Sequence, residues 1–183
     1  KKFKFEVGTA QGCPLSPTLF AIFINSLVLQ LEKDGRALKE MPVLAYADDI
    51  MIAAKNAKDM QALVDICAKW VGENRMAANV KKSAIMRINQ KFGRGTKKSD
   101  VETIYWTEGD TKKPLPTVDE YKYLGLIIDR AMKFQSHADK QLAKTNKKLG
   151  MLYRICCKNP ETPYQMKKQL ITACALAGIE YGA

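Results

Sequence analysis

Apolar residues near the start of the chain recur so densely that they predict a helix that is hydrophobic on nearly every side. Ser16 is predicted to cap this helix and Pro17 to be its first helical residue. The helix is predicted to run to about Glu32, and Lys33-Asp34-Gly35-Arg36 to end it. Its apolar residues are Leu19, Phe20, Ile22, Phe23, Ile24, Leu27, Val28 and Leu31. A helix with this pattern is expected to be buried in the core.

Two short apolar runs flank a pair of acidic residues, and together they predict a tight β-hairpin. The run 42–45 precedes Tyr46-Ala47-Asp48-Asp49, and the run 50–54 follows it. A one-sided apolar pattern then predicts an amphipathic helix over 57–73, and alternation at 2–7 predicts an N-terminal strand. The apolar face of the helix consists of Met60, Leu63, Val64, Cys67, Trp70 and Val71. We expect this helix to cover a sheet that contains the acidic hairpin.

The second half of the chain predicts three more strands and then only helices. Strands are predicted at 84–88, 101–106 and 121–128, with a polar loop between the first two. The basic residues in and just before this loop are Lys81, Lys82, Arg87, Lys91, Arg94, Lys97 and Lys98. Two helices follow, and the second begins with a predicted capping box at Thr162-Pro163-Tyr164-Gln165. This order predicts an α+β domain followed by a helical lobe.

The first of these two helices has a predicted basic face, and the whole chain is strongly basic. The basic side chains fall within a sector of about 120°, at about 100° per residue. They are Lys140, Lys144, Lys147, Lys148 and Arg154, opposite Leu142, Leu149, Leu152, Tyr153 and Cys156. The net charge is +11 and the isoelectric point is near 9.4. This charge favours a polyanionic partner such as nucleic acid, the alternative being a generally basic, solvated surface.

The composition excludes several other classes of protein. With 46% hydrophobic and 27% charged residues, the chain of 183 residues has the composition of a soluble globular protein. Five cysteines without C-x-x-C spacing and a single histidine, His137, argue against a structural zinc site. We expect reduced, mostly buried thiols in an intracellular protein, with the compartment left open. No apolar run approaches the roughly 20 residues that span a bilayer, so no membrane partner is expected.

The chemistry of the acidic hairpin suggests a cation. Asp48 and Asp49 would place two like charges on one rigid turn, which is unfavourable unless a cation neutralises them. Their hard oxygen ligands suit Mg²⁺, and the alternative is that both are ordinary turn residues. Upstream, the loop 8–17 contains glycines that allow close backbone approach to a ligand, and Gln11 offers both a donor and an acceptor. The alternative for this loop is a structural role.

These segments together resemble reverse transcriptases of the non-LTR retrotransposon type. The resemblance covers nearly the whole chain, in the order and spacing of the family. It is carried by Gln11-Gly12-Cys13-Pro14-Leu15-Ser16-Pro17, Leu19-Phe20, Tyr46-Ala47-Asp48-Asp49, Asn79-Val80-Lys81-Lys82-Ser83, Tyr123-Leu124-Gly125 and Glu180-Tyr181-Gly182. It implies a reverse-transcriptase-like palm, with an antiparallel sheet and helices on one face, followed by a helical thumb segment. Residues 1–128 would be the C-terminal part of the palm, and residues 129–183 the start of the thumb.

The resemblance also implies roles for individual residues in an RNA-directed DNA polymerase. Asp48 would be a ligand of a two-metal magnesium site, with Asp49 beside it, and Lys82 would approach the leaving phosphates. The pocket for the incoming nucleotide and template would be lined by Gln11, Gly12, Pro14, Ser16 and Tyr46. The primer grip would be a turn formed by Tyr123, Leu124 and Gly125. The face Lys140, Lys144, Lys147, Lys148 and Arg154 would follow the backbone of an RNA template or an RNA/DNA hybrid. The alternatives are a solvated lysine for Lys82, a core strand at 123–125 and a solvated helix face.

Two departures from the family pattern lead to an expectation of incompleteness. Ala10 occupies a position where the family has a basic residue. Seven residues precede Gly8, none of them Asp, whereas the family's fingers and first catalytic Asp precede this loop. We expect half a catalytic centre, completed by a missing N-terminal half or a partner polypeptide, and no activity from the isolated chain. The alternatives are a domesticated, non-catalytic subunit of a ribonucleoprotein or organellar assembly, and a plain RNA-binding module with accidental motif matches.

Overall fold

The computed structural model describes residues 8, 12–39, 41, 43–88, 102–159 and 161–176. Helices and strands alternate in the first part of the chain, and helices follow the last strand. In chain order the elements are α1 (Ser16–Asp34), β1 (Val43–Tyr46), β2 (Asp49–Ile52), α2 (Ala57–Glu73), β3 (Ile85–Met86), β4 (Tyr105–Glu108), β5 (Thr111–Pro114), β6 (Thr117–Val118), β7 (Glu120–Tyr123), β8 (Leu126–Asp129), α3 (Gln135–Lys158), α4 (Tyr164–Ile171) and a π-helical turn (Thr172–Leu176). The predicted mixed α+β class is confirmed.

The chain divides into two compact units. The first consists of residues 1–85 and 97–116, and the second of residues 86–96 and 117–183. The strand predicted at 2–7 lies outside the described residues, as does most of the basic loop between β3 and β4. No helix in the part of the chain that the structure describes is long and apolar enough to cross a membrane.

The described strands form four separate two-stranded sheets, where the resemblance implied one antiparallel sheet. The pairs are β1 with β2, β3 with β6, β4 with β5 and β7 with β8. The single strand predicted over 121–128 is wrong, because the chain turns back at Leu124 and Gly125. Both residues have positive φ, 48° and 91°, a backbone conformation that suits a two-residue hairpin turn and not an extended strand. The strand predicted at 84–88 is shortened to Ile85–Met86, and the next begins only at Tyr105.

Helix α1 is buried on one side only, so the expectation that it is buried in the core holds for that side and not for the rest of the helix. Ile24, Leu27 and Leu31 are buried, and the side chain of Leu27 is only 1% exposed. On other sides of the helix the exposed fraction is 45% for Leu19 and 68% for Ile22. The large apolar residues exposed in and just before α1 are Leu15, Leu19, Ile22, Phe23 and Leu29. Within the part of the chain that the structure describes, helix α1 therefore presents an exposed apolar surface.

The ends of α1 and α2 show which predicted caps form. Ser16 is the first residue of α1 and not its cap, because Leu15 precedes the helix without a side-chain hydrogen bond. Gly35 ends α1 in the left-handed conformation with φ 75°, and its N–H donates to the carbonyl of Glu32. At the start of α2, the side-chain oxygen of Asn56 accepts from the N–H of Asp59 at 2.8 Å. The predicted bounds of α2, 57–73, are confirmed.

The core of the first unit joins α1, α2 and β4. Helix α2 buries Leu63, Val64, Cys67 and Trp70, and it packs against α1 and β4. The Trp70 indole N–H donates to Ser26 Oγ at 3.0 Å, and its ring lies 5.1 Å from that of Phe23. Val43 of β1 shares this core. Strand β4 is thus the main strand beneath α2, whereas the sequence pattern predicted the acidic hairpin there.

The described cysteines differ in their surroundings, and none of Cys13, Cys67, Cys156 and Cys174 is in a disulfide. Cys67 alone among these four is buried, so the expectation of mostly buried thiols is wrong for the described residues. Burial raises the pKa of the Cys67 thiol to about 12, against a smaller opposing effect of its backbone hydrogen bond. Cys67 is therefore a neutral packing residue at physiological pH.

In the second unit, α3 packs against β8, α4 and the π-helical turn. Among the α3 side chains that the structure describes, His137, Thr145 and Leu152 are buried. The apolar side predicted for α3 is largely exposed, and Tyr153 is 72% exposed. The capping box predicted at 162–165 does not form, because Pro163 precedes α4 and no side chain caps the helix. An apolar groove of about 260 Å³ lies between α3 and α4. It is lined by Leu149, Leu152, Tyr153, Cys156 and Ile171.

Candidate catalytic and nucleic-acid site

The acidic pair lies at the tip of the hairpin formed by β1 and β2, as the sequence predicted. Tyr46 pairs with Asp49 across the hairpin, so Ala47 and Asp48 form a two-residue turn. Ala47 has φ 51°, which is uncommon for a residue with a Cβ and strains the backbone by about 1 kcal/mol or more. Both Asp48 and Asp49 are exposed to solvent. The turn therefore projects the Asp48 carboxylate from a rigid two-stranded support.

The register of this hairpin separates a core face from an outer face. Val43, paired with Ile52, belongs to the core face, which packs towards α1 and α2. Because strand side chains alternate between faces, Asp49 shares the outer face with its cross-strand neighbour Tyr46. The Tyr46 side chain is 66% exposed. The outer face thus combines a carboxylate with an accessible aromatic ring at the same end of the hairpin.

The loop before α1 supplies further predicted site residues. Gln11 lies outside the described residues, whereas Gly12 has φ 86° and open space around its Cα. Pro14 is exposed, and the N–H of Ser16 donates to the carbonyl of Cys13 at 3.1 Å. Helix α1 packs against β1, so this loop and the acidic hairpin belong to the same compact unit.

Lys82 lies on a tight turn that Asn79 organises. The Lys82 N–H donates to the Asn79 carbonyl at 3.0 Å and to its side-chain Oδ1 at 3.3 Å. Ser83 Oγ donates to the same carbonyl at 3.1 Å. Asn79 and Ser83 therefore shape the turn through these hydrogen bonds, and the side chain of Lys82 is exposed on it.

The second unit contains the predicted primer-grip residues and the basic helix. Tyr123 and Leu126 close the β7–β8 hairpin around Leu124 and Gly125, and Leu124 is exposed. A turn at this position was the structure implied by the resemblance, and the core-strand alternative does not hold. On α3, Lys140, Lys144, Lys147, Lys148 and Arg154 are all exposed.

One lysine of the basic face differs from the others. Lys140 Nζ lies 3.0 Å from Glu120 Oε2, on the neighbouring strand β7. The Glu120 carboxyl also accepts a hydrogen bond from Ser136. This bond, together with the hydrogen bond and the charge of Lys140, lowers the pKa of Glu120 below its usual value. Burial and the charge of Asp129 act in the opposite direction but are outweighed. The positive charge of Lys140 is thus partly neutralised within the protein, so this residue is a weaker candidate for a phosphate contact.

Asp129, which the sequence patterns did not single out, anchors the start of α3. Its Oδ1 accepts from the N–H groups of Ala131 at 2.9 Å and Lys133 at 3.2 Å, and its Oδ2 from that of Phe134 at 2.8 Å. Phe134 precedes α3 with φ 55°, so these hydrogen bonds hold a strained segment. Burial raises the pKa of the Asp129 carboxyl, but the three N–H groups and the Lys133 charge outweigh this and lower it overall.

The lowered pKa of Asp129 predicts an acid-sensitive contribution to stability. The contribution is fully present above the unfolded-state pKa of about 3.9 and is lost as the pH falls through the lower folded-state value. We expect Asp129→Asn to reduce the free energy of unfolding at neutral pH, and the deficit relative to wild type to shrink in acid. Urea unfolding at a series of pH values measures the difference in the free energy of unfolding between the variant and wild type, with Asp110→Asn in the β4–β5 turn as control. A deficit that is constant with pH would contradict this role.

The acidic hairpin offers a metal few ligands of its own. In the described ranges of the chain, no group of three or more His, Cys, Asp or Glu side chains is placed to hold a metal ion. Asp48 and Asp49 alone fit the one or two carboxylates that Mg²⁺ takes when phosphates and water complete its shell. The hairpin therefore suits a metal that arrives with a phosphate-bearing substrate and not a closed protein cage.

Comparison with known proteins decides the family. A sequence profile of the family described as "Reverse transcriptase (RNA-dependent DNA polymerase)" matches residues 1–128. The chain belongs to this family. It is 32% identical over 138 residues to the "RNA-directed DNA polymerase from mobile element jockey" of Drosophila funebris, covering 72% of this chain and 14% of that protein. No solved structure gives a significant match.

Two further relatives support the non-LTR retrotransposon type of this reverse transcriptase chain. A "Retrovirus-related Pol polyprotein from type-1 retrotransposable element R2" of Popillia japonica is 31% identical over 133 residues, covering 69% of this chain and 22% of that protein. The corresponding R1 polyprotein of Nasonia vitripennis is 26% identical over 186 residues, covering 96% of this chain and 51% of that protein. The chain thus spans 14% to 51% of these relatives. The predicted resemblance is confirmed.

Sequence reasoning missed the residues that connect the β7–β8 hairpin with α3. Asp129 directly follows the strand predicted over 121–128 and received no role, because its hydrogen bonds to the N–H groups of Ala131, Lys133 and Phe134 depend on how the segment before α3 folds. Glu120 was not considered, because only the fold brings it beside Lys140. His137 was noted as the single imidazole of the chain but received no role of its own.

Proposed function

We propose that this chain forms part of an RNA-directed DNA polymerase in which Asp48 supplies a carboxylate for two-metal nucleotidyl transfer. The observation that carries the proposal is the position of Asp48, on a two-residue turn with Asp49 and Tyr46 directly beside it. Membership of the reverse transcriptase family gives this turn a chemical meaning. An exposed carboxylate on this turn can share a Mg²⁺ ion with a nucleotide phosphate without a prior rearrangement of the protein.

In this proposal, residues 1–128 are the C-terminal part of the palm and residues 129–183 begin the thumb. The acidic hairpin and α1 belong to the first compact unit, which supports a palm assignment for them. Helices α3 and α4 follow the last strand without a further described strand up to residue 176, which supports a helical thumb segment.

Mg²⁺ bound at the hairpin would lower the pKa of the primer 3′-hydroxyl and stabilise the leaving pyrophosphate. The residues of this chain would hold and orient the substrates around it. Asp48 is the proposed ligand, and Asp49, on the outer face with Tyr46, has a secondary role. Lys82, presented by the Asn79 turn, would interact with the negative charge of the leaving phosphates. Gln11, Gly12, Pro14, Ser16 and Tyr46 are the proposed lining of the nucleotide and template pocket.

The second unit would hold the primer and the duplex behind it. The turn Tyr123, Leu124 and Gly125 is the proposed primer grip, and the basic face of α3 would contact backbone phosphates without reading sequence. An RNA template or an RNA/DNA hybrid is the proposed partner. Because Lys140 is paired with Glu120, Lys144, Lys147, Lys148 and Arg154 are proposed to make most of these contacts.

A further part of the polymerase is proposed to pack on α1. Leu19, Ile22 and Phe23 are apolar and exposed on this helix, and soluble proteins seldom leave such a contiguous surface uncovered. The relatives are longer than this chain, which supports an additional segment of the same polymerase as the covering partner. That segment would also contribute the further carboxylate that a two-metal site requires.

Primer extension tests the proposed function. We expect the isolated 183-residue chain to bind a primed RNA template without extending it. Asp48 and Asp49 alone provide too few ligands to hold the two Mg²⁺ ions that nucleotidyl transfer requires. Adding the fingers and first catalytic strand of a related polymerase, in the same polypeptide or as a second one, is expected to produce extension with Mg²⁺. Extension by the isolated chain would show that its own residues complete the site. Binding without extension in the completed protein would favour a non-catalytic subunit.

A further inference from the structure

The single histidine of the chain connects the β7–β8 hairpin to the basic helix. His137 lies in the first turn of α3, and its side chain is only 5% exposed. The backbone N–H of Ile127, on β8, donates to His137 Nδ1 at 3.2 Å. This bond joins residues ten positions apart and belongs to neither the helix nor the strand ladder.

The register of the hairpin explains why Ile127 needs this partner. Tyr123 pairs with Leu126 around a two-residue turn, which makes them a hydrogen-bonded pair. Pairs alternate along an antiparallel ladder, so the next pair, Lys122 with Ile127, is not hydrogen-bonded and its N–H groups point away from the partner strand. A backbone N–H that is shielded from water and lacks an acceptor destabilises the fold, and Ile127 is half-buried. His137 supplies that acceptor through Nδ1.

Other contacts reinforce this connection at the same end of α3. Glu120 on β7 contacts Lys140 on α3, and the Asp129 carboxylate holds the segment that leads into the helix. Ile127 is the second residue of β8 and directly follows Leu126, which closes the turn with Tyr123. Lys144 lies seven residues from His137, or about 10 Å along the helix. The hydrogen bond therefore lies beside the turn and about two helical turns from the centre of the basic face.

We propose that His137 is a positioning residue that fixes the turn at Tyr123, Leu124 and Gly125 relative to the basic face of α3. The two surfaces then meet one nucleic-acid duplex in a single geometry, and less orientational freedom is lost on binding. The inference rests on the proposed function, since it assumes that both surfaces contact nucleic acid. A residue that only fills space would contribute to folding but would leave the relative orientation of the two surfaces unchanged.

The test compares variants that keep or remove the acceptor. His137→Asn places an oxygen near the position of Nδ1, whereas His137→Leu keeps much of the volume without an acceptor. His137→Gln places its oxygen nearer the position of Nε2 and tests the same bond if the leucine variant does not fold. Leu152→Ala, a cavity variant farther along α3, is the control for lost stability. The readouts are amide hydrogen exchange at Ile127, the affinity for an RNA/DNA hybrid and the salt dependence of that affinity.

In His137→Leu and His137→Gln, we expect faster exchange of the Ile127 amide and about fivefold weaker hybrid binding, the loss expected for one hydrogen bond. The log-log salt slope should stay unchanged, because the lysines are intact. His137→Asn should bind within about twofold of wild type, and folded Leu152→Ala should match wild type in binding and in Ile127 exchange.

Equal losses in His137→Leu and His137→Asn, or an unchanged affinity in His137→Leu, would overturn the positioning role alone. If the wild-type chain binds no hybrid, the proposed nucleic-acid function fails, and the positioning role fails with it. Exchange at Ile127 then still reports whether the hydrogen bond forms, which separates a failure of the function from a failure of the structural contact.

Discussion

Asp48→Asn is expected to lower primer extension by the completed polymerase about a thousandfold or more, while template binding changes little. Loss of a metal ligand removes several kcal/mol of charge stabilisation from the transition state, and each 1.36 kcal/mol is about tenfold in rate. The substitution keeps the size of the side chain and its place in the turn, where Asn tolerates the backbone as well as Asp does. Single-turnover extension on a primed RNA template, at saturating nucleotide, measures the effect.

Asp49→Asn is the matched control, since it removes one carboxylate from the next residue of the same hairpin. Asp49 lies on the outer face beside Tyr46, and because its proposed role is secondary, we expect a smaller loss of rate than for Asp48→Asn. Raising the Mg²⁺ concentration should recover part of the activity of Asp49→Asn and little of that of Asp48→Asn. Equal rates in wild type and Asp48→Asn would refute the proposed ligand.

Neutralising Lys144, Lys147 and Lys148, which form no ion pair with another described residue, is expected to produce the second large effect. We expect Lys144→Gln, Lys147→Gln and Lys148→Gln each to reduce the magnitude of the log-log salt slope by about 0.9 for each phosphate that the protein no longer neutralises on a B-form duplex. The affinity of the triple variant for a hybrid should fall by orders of magnitude at low salt, because each released counterion contributes to binding. Titrations of the hybrid at several salt concentrations measure the slope.

Lys140→Gln is the internal comparison for this series. Lys140 lies 3.0 Å from the Glu120 carboxylate, so its removal should change the slope less than the removal of Lys144. Lys58→Gln, on α2 in the other compact unit, is the control for a general loss of charge and should leave the slope unchanged. A slope that is insensitive to Lys144, Lys147 and Lys148 together would show that this face of α3 is merely solvated.

The candidate site was predictable from the sequence where its residues are neighbours in the chain. The acidic hairpin has apolar runs on both sides of a short polar turn, and a two-residue loop fixes the register from local geometry alone. The primer-grip turn was implied by the family resemblance but not by the apolar pattern of 121–128, which suits one strand equally well. The positive φ of Leu124 and Gly125 distinguishes the two structures, and hydrophobicity does not encode φ.

The sequence by itself determined the family, the acidic hairpin and the bounds of α2, because motif spacing and local periodicity are properties of neighbouring residues. Only the tertiary structure decided which side of α1 is buried, since an all-round apolar helix carries no signal for the face that finds a partner. It also decided the pairing of Lys140 with Glu120 and of His137 with Ile127. Those contacts join separate elements, and their existence depends on how the strands and α3 pack, which no local pattern specifies.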